Sequence, residues 1–155
     1  MKFSAADKQA FPRLYRYIRY SIPQVTTVGS IINNLRIYGD LSANQSRNAL
    51  AWDNNPLIVI TPLTGGQCGV PAANGCFSSD NPNQIEIDRD LALEFEQGSA
   101  AAVELTTSGK RVYVIGTTIL HELCHWGRNL NGHPYTGAGE EGVDFEEATY
   151  GRNIG

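Results

Sequence analysis

The 155-residue sequence predicts an α+β fold with N-terminal helices, a small central sheet, a long motif-bearing helix and a C-terminal helix. Three observations lead there. Apolar residues recur at three- and four-residue spacing between Phe11 and Ile37, as in helices with one buried stripe. Pro56–Thr61 and Gln84–Asp88 are short and β-rich or alternating, as strands are. From Val112 to Leu123 the chain is strongly apolar and free of proline. Hydrophobic residues make up 41% and charged residues 18%, an ordinary globular balance. The expectation is one domain over residues 1–155, which buries roughly 70% of its unfolded surface without further staples.

Each element follows from local chemistry. Ser4 before Ala5-Ala6-Asp7 is an N-cap with an acid in the first turn, and Phe11, Leu14, Tyr15 and Ile18 continue at helical spacing. Pro23 suits the first turn of a second helix, whose stripe is Val25, Val28, Ile31, Ile32, Leu35 and Ile37, ending at Gly39. Ser42 with Gln45 three residues on is a capping box, starting a third helix that runs to about Trp52. The Pro56 and Gln84 segments are the strands, separated by glycine- and proline-rich loops and room for a hairpin. Asp90–Glu96 is a short helix closed by Gly98. The run after Val112 is β-branched, which weakens helix propensity, and burial has to override that. Gly132 and Pro134 end it, and Glu140–Tyr150 is a final helix with an acidic first turn.

The formal charge is −4, so there is no surplus of Lys and Arg for nucleic acid. No apolar run reaches the 18 or so residues of a membrane span. Residues 1–20 hold no apolar signal core, so the expectation is a chain without a classical signal peptide. It is exported within a larger polypeptide or stays cytoplasmic. Of three cysteines, Cys68 and Cys76 bracket the loop CGVPAANGC. A bridge there is worth about 2.5 kcal/mol on loop entropy, and two free thiols are the alternative.

The three histidines all fall between positions 121 and 133. His121-Glu122-Leu123-Cys124-His125 is an HExxH pattern. On a helix, residues i and i+4 share a face, so both imidazoles reach one Zn²⁺ at about 2.0–2.1 Å. Glu122, about 100° round the wheel, faces a water beside the metal and suits a general base for peptide hydrolysis. A catalytic zinc needs a third protein ligand. The metzincin extension fails, because Arg128 and Asn131 stand where glycine and histidine belong, and the only methionine is Met1. His133 lies past the helix end. Glu146, 21 residues after His125, is the favoured ligand, and Asp144 is its rival. Tyr150 is one turn beyond Glu146, either donating to a developing oxyanion or packed in the core. Glu140 and Glu141 suit the helix N-terminus as structural residues. Cys124 and Trp126 are packing residues. The strand Gln84–Asp88 either pairs with an extended peptide substrate or is purely structural. A structural zinc without catalysis is the competing reading, with Cys124 or His133 as a closing fourth ligand. Glu122 argues against it.

The segments FPRLYRYIRYSIP, LAWDNNPLIVI, NQIEIDRDLALEFE, TTILHELCHWGRNLNG and EEGVDFEEATYG together resemble the metallopeptidase toxin domains of bacterial polymorphic toxins. The likeness spans nearly the whole chain, and HELCH is its specific part. It implies a compact zincin at the end of an exported effector. His121, His125 and Glu146 would hold Zn²⁺, and Glu122 would act as base. It also implies a protein substrate in a target cell and a cognate immunity protein. The loop CGVPAANGC has no counterpart in the resemblance.

Overall fold

Side chains finish most of the α-helix N-termini. In the computed structural model, which describes residues 1–66 and 68–155, the Ser4 hydroxyl accepts from the Asp7 N–H and starts α1 (Ala5–Ala10). The Glu96 carboxylate accepts from the Arg13 and Leu14 N–H groups at 2.8 and 3.0 Å, closing the N-terminus of α2 (Pro12–Arg16) from far along the chain. A π-helical turn (Tyr17–Ser21) and a 3-10 stretch (Ile22–Thr27) follow.

The helix expected from Pro23 is therefore split. Thr26 and Thr27 donate their hydroxyls to the Pro23 and Gln24 carbonyls, an alternative to helical bonding, and Val28 is extended. The continuation, α3, runs only over Gly29–Gly39. Ser42 and Gln45 form the expected capping box on α4 (Ala43–Leu50).

The main sheet has four strands in the order β1 (Lys2–Phe3), β2 (Leu57–Thr61), β4 (Gln84–Asp88), β3 (Gly75–Cys76). β2 runs parallel to both β1 and β4, and β3 lies antiparallel on β4 through Gly75↔Ile87 and Cys76↔Glu86. Of the two readings of Gln84–Asp88, a substrate-pairing strand or a purely structural one, this pairing favours the structural one. β2 occupies one side and β3 covers Glu86 and Ile87 on the other. β1 is too short to show a period in sequence.

Asp88 ends β4 with every oxygen engaged. Oδ1 accepts from the Leu63 N–H, and Oδ2 accepts from Asp90 and Leu91 at the start of α5 (Arg89–Gln97). That satisfies a buried carboxylate.

A second sheet, β5 (Val103–Leu105) with β6 (Arg111–Tyr113), precedes the long helix α6 (Val114–Asn131). Val112 thus belongs to β6. The remaining β-branched residues are helical because α6 is packed against α3, α5, β3, β4 and α7 (Glu141–Tyr150), so burial overrides propensity. Thr117 and Thr118 return their hydroxyls to the Val114 carbonyl. Leu14, Leu35, Ile58, Ile85, Leu123 and Phe145 are fully buried around it. The molecule is α+β, with the helix–sheet–helix order that the sequence predicts.

α6 approaches α3 closely at Gly127. A Cβ there would strike the Gly39 carbonyl oxygen and lie 2.6 Å from Leu41 Cγ. Beside it, Arg128 donates to the Tyr38 and Ile37 carbonyls at 2.7 and 2.6 Å, and Asn131 donates to Asp40, so α6 side chains satisfy the end of α3. Gly127→Ala is expected to lower stability by about 1–3 kcal/mol despite alanine's better helix propensity. A thermal melt checks this, and an unchanged Tm would mean the two helices can separate without cost.

Candidate metal centre

His121 and His125 leave one face of α6 one turn apart, with ring centroids at 5.3 Å. Each ring is held from behind by a carboxylate of α7. His121 Nδ1 lies 2.7 Å from Glu146 Oε1, and His125 Nδ1 lies 2.9 Å from Glu141 Oε1. A carboxylate at Nδ1 places the ring proton there and leaves Nε2 as the free donor for a metal. Both Nε2 atoms turn to one further side chain, Glu140, at 3.3 Å (His121 to Oε2) and 2.5 Å (His125 to Oε1). One ligand atom from each of His121, His125 and Glu140 lies within 4.8 Å of the others. Two imidazoles and a carboxylate are a donor set for a divalent ion of the zinc type with a position left open.

Glu140 is also the N-cap of α7. Its oxygens accept from the Gly142 and Val143 N–H groups, both at 2.9 Å. Gly142 is required in this arrangement, since a Cβ there would fall into the His121 ring.

Glu122 sits beside the cluster, its Oε1 4.0 Å from His121 Nε2. It is only 6% exposed. Gly75 of β3 presses on it, as a Cβ at that position would meet Glu122 Cγ at 2.8 Å. Burial raises the Glu122 carboxyl above its ordinary range, against the pull of His125, His121 and a hydrogen bond from the Phe77 backbone. His121, Glu122 and Glu146 line a cleft of about 400 Å³. Val70 and residues 72–75 wall it on one side, and Val143 with residues 153–155 on the other.

The other expected residues are placed as follows. Glu146 is buried behind His121, with Oε1 on His121 Nδ1 and Oε2 accepting from the Ile154 N–H at 2.5 Å. Both oxygens are thus engaged away from the Nε2 atoms. Tyr150 lines a different hollow with Val28, Ile31 and Thr107, and packs edge-on to Phe145 at 6.2 Å. Burial first, then the Glu146 charge, push its phenol well above the ordinary range. Asp144 accepts from the Tyr135 hydroxyl. His133 is exposed and bonded to Asp40. Cys124 is buried against Gly39. Cys68 and Cys76 are bridged.

Sequence reasoning placed Glu140 and Glu141 at the helix start but missed that they face the histidines. The signal available was the acidic pair and Gly142 directly after an aperiodic link. It gave no register relative to α6.

The pairing shifts both partners. Burial opposes a charged His125, but the hydrogen bond to Glu140 and the charges of Glu122, Glu140 and Glu141 outweigh it and raise the imidazole to about 9. Burial likewise opposes charge on Glu140, and His125 with the Gly142 N–H holds that carboxyl down at about 2. His121 is also raised, against its burial, by Glu146, Glu122 and Glu140.

A family model described as metallopeptidase toxin 3 matches residues 7–151. No curated protein and no solved structure matches the chain.

The pairing fixes the pH response of the chelator-treated protein. The raised His125 contributes stability in full below its ordinary value of 6.5 and loses it as pH rises through about 9. The depressed Glu140 contributes in full above its ordinary 4.5 and loses it as pH falls toward about 2. Tm measured against pH should therefore peak between those ordinary values and decline on both sides. A melt that is flat from about pH 7 to 9 would contradict the His125–Glu140 pairing. Gly142→Ala should displace the His121 ring, detectable as a shift of its imidazole NMR signals in the same metal-free protein.

Proposed function

Because the chain belongs to the metallopeptidase toxin 3 family, we propose that it is a zinc-dependent endopeptidase, the toxic domain of an exported bacterial effector. The observation that carries this reading is Glu122, buried at the floor of a walled cleft beside the outward-facing Nε2 of His121. We assign the metal ligands to His121 and His125 through Nε2 and to Glu140. Glu146, the favoured ligand on sequence spacing, becomes the residue that orients His121, and Glu141 does the same for His125. The reason is geometric, since Glu146 meets His121 on its Nδ1 side while Glu140 faces the Nε2 atoms of both rings.

A zinc ion in this seat supplies Lewis-acid activation of water and of the scissile carbonyl. The protein does the rest. Glu122 takes a proton from the attacking water and passes it to the leaving amine. The Gly75 wall keeps the carboxylate fixed and sheltered from bulk solvent. Tyr150, in its separate hollow, packs rather than catalyses.

Family membership implies a protein substrate and action in a target cell. Export within a larger polypeptide and a cognate immunity protein belong to the same proposal. No helix among the described residues is long and apolar enough to cross a membrane. A purely structural zinc is disfavoured because Cys124 and His133 both lie away from the two rings, bonded elsewhere.

Zinc content and casein hydrolysis, measured on four proteins, test this. Wild type should bind about one zinc per chain. Glu122→Gln should keep the zinc and lose about 10²–10⁴ of the rate. Glu140→Ala should lose most of the metal. Glu146→Ala should bind about 10–100-fold more weakly yet fill at excess zinc. If Glu146→Ala abolishes binding and Glu140→Ala does not, the ligand assignment reverses. A wild type that binds no zinc ends the proposal.

A further inference from the structure

The metal chemistry makes no use of the Cys68–Cys76 bridge, yet the bridge closes the loop that forms one wall of the cleft. Among the described residues, little else holds that wall. Residues 69–74 belong to no helix or strand. β3 is two residues long and pairs with β4 only through Gly75 and Cys76. One further bond, from the Asp88 N–H to the Asn74 carbonyl at 2.8 Å, ties the loop to the end of β4.

The residues on either side of Cys76 are the ones that touch Glu122. Gly75 presses on its side chain, and the Phe77 backbone hydrogen-bonds to its carboxylate. Cys76 is buried, whereas Cys68 is half-exposed at the outer end of the loop. The bridge thus joins a half-exposed residue to the segment that fixes the general base.

We propose that the Cys68–Cys76 disulfide is a redox switch on the cleft: closed, it holds the 68–76 wall against Glu122, and opened by a thiol reductant, it frees the wall and shuts hydrolysis down. This rests on the reading of the cleft as the peptidase site. The chemistry is ordinary exchange. A reductant thiolate attacks the sulfur of half-exposed Cys68, forming a mixed disulfide and releasing the Cys76 thiolate. A second reductant thiol resolves the mixed disulfide. Two reductant thiols are oxidised to one disulfide, and the two cysteines take up their two electrons and two protons. Cys124 takes no part, since it is fully buried against Gly39. In a reducing cytosol the wall is slack, and in an oxidising compartment it is set. The cell that synthesises the chain would therefore hold it in the weak form.

The test uses the whole zinc-loaded chain equilibrated in reduced or oxidised glutathione, with Cys68→Ser as a permanently open control. Hydrogen exchange at the Gly75 and Phe77 amides, casein hydrolysis and zinc content are read together. Opening should speed exchange at both amides about tenfold or more, lower hydrolysis by a comparable factor and leave zinc in place. Oxidised glutathione should restore the wild type but not the variant. Equal exchange and equal hydrolysis in both forms would overturn the switch. Zinc loss on opening would overturn it too, since the effect would then be on the metal seat. If neither form cleaves casein, the peptidase reading fails instead, and the exchange rates alone decide whether the bridge holds the wall.

Discussion

The imidazole–carboxylate pairing between α6 and α7 is the interaction on which the rest of the structure depends. Glu146 is almost wholly buried, and a carboxylate in that position is costly unless it is both paired and hydrogen-bonded. His121 Nδ1 and the Ile154 N–H meet those needs, and in doing so they fix the height and rotation of α7 on α6. Once that is set, Glu141 and Glu140 arrive at the second ring without further adjustment. Gly142 is the concession that lets the two helices come this close.

The remainder of the fold serves to keep α6 still. Its apolar faces are taken up by the sheet, α3 and α5. At Gly127 the backbone of α6 meets the end of α3 directly, and Arg128 and Asn131 finish the carbonyls that α3 leaves open. A helix restrained along its length presents its two imidazoles from a rigid base. The preorganisation of the cluster comes from that restraint as much as from the residues that form it.

Much of this was legible in the sequence, for identifiable reasons. The HExxH spacing is a statement about one helix face, and helix geometry converts it into position without any tertiary knowledge. Ser4, Ser42, Gly98 and Gly132 act through their nearest neighbours, and each marks a helix end as read. What failed depended on distant partners. Spacing favoured Glu146 over Asp144 and left Glu140 a structural cap, because which carboxylate faces Nε2 depends on where the 132–139 link delivers α7. Gln84–Asp88 was correctly a strand, yet whether its edge was free depended on Gly75 and Cys76, two residues with no period of their own. The second helix was read as continuous because a hydrophobic stripe does not register threonine hydroxyls turning back on carbonyls.

Glu140 finishes a helix and faces both rings with the same two oxygens. An ion and a helix that share one carboxylate are thermodynamically reciprocal. Whatever factor the ion contributes to the order of residues 141–150, that order returns to the affinity for the ion. On the proposed assignment of Glu140 to the ion, loosening this helix even well outside the cleft would therefore weaken the seat for the ion.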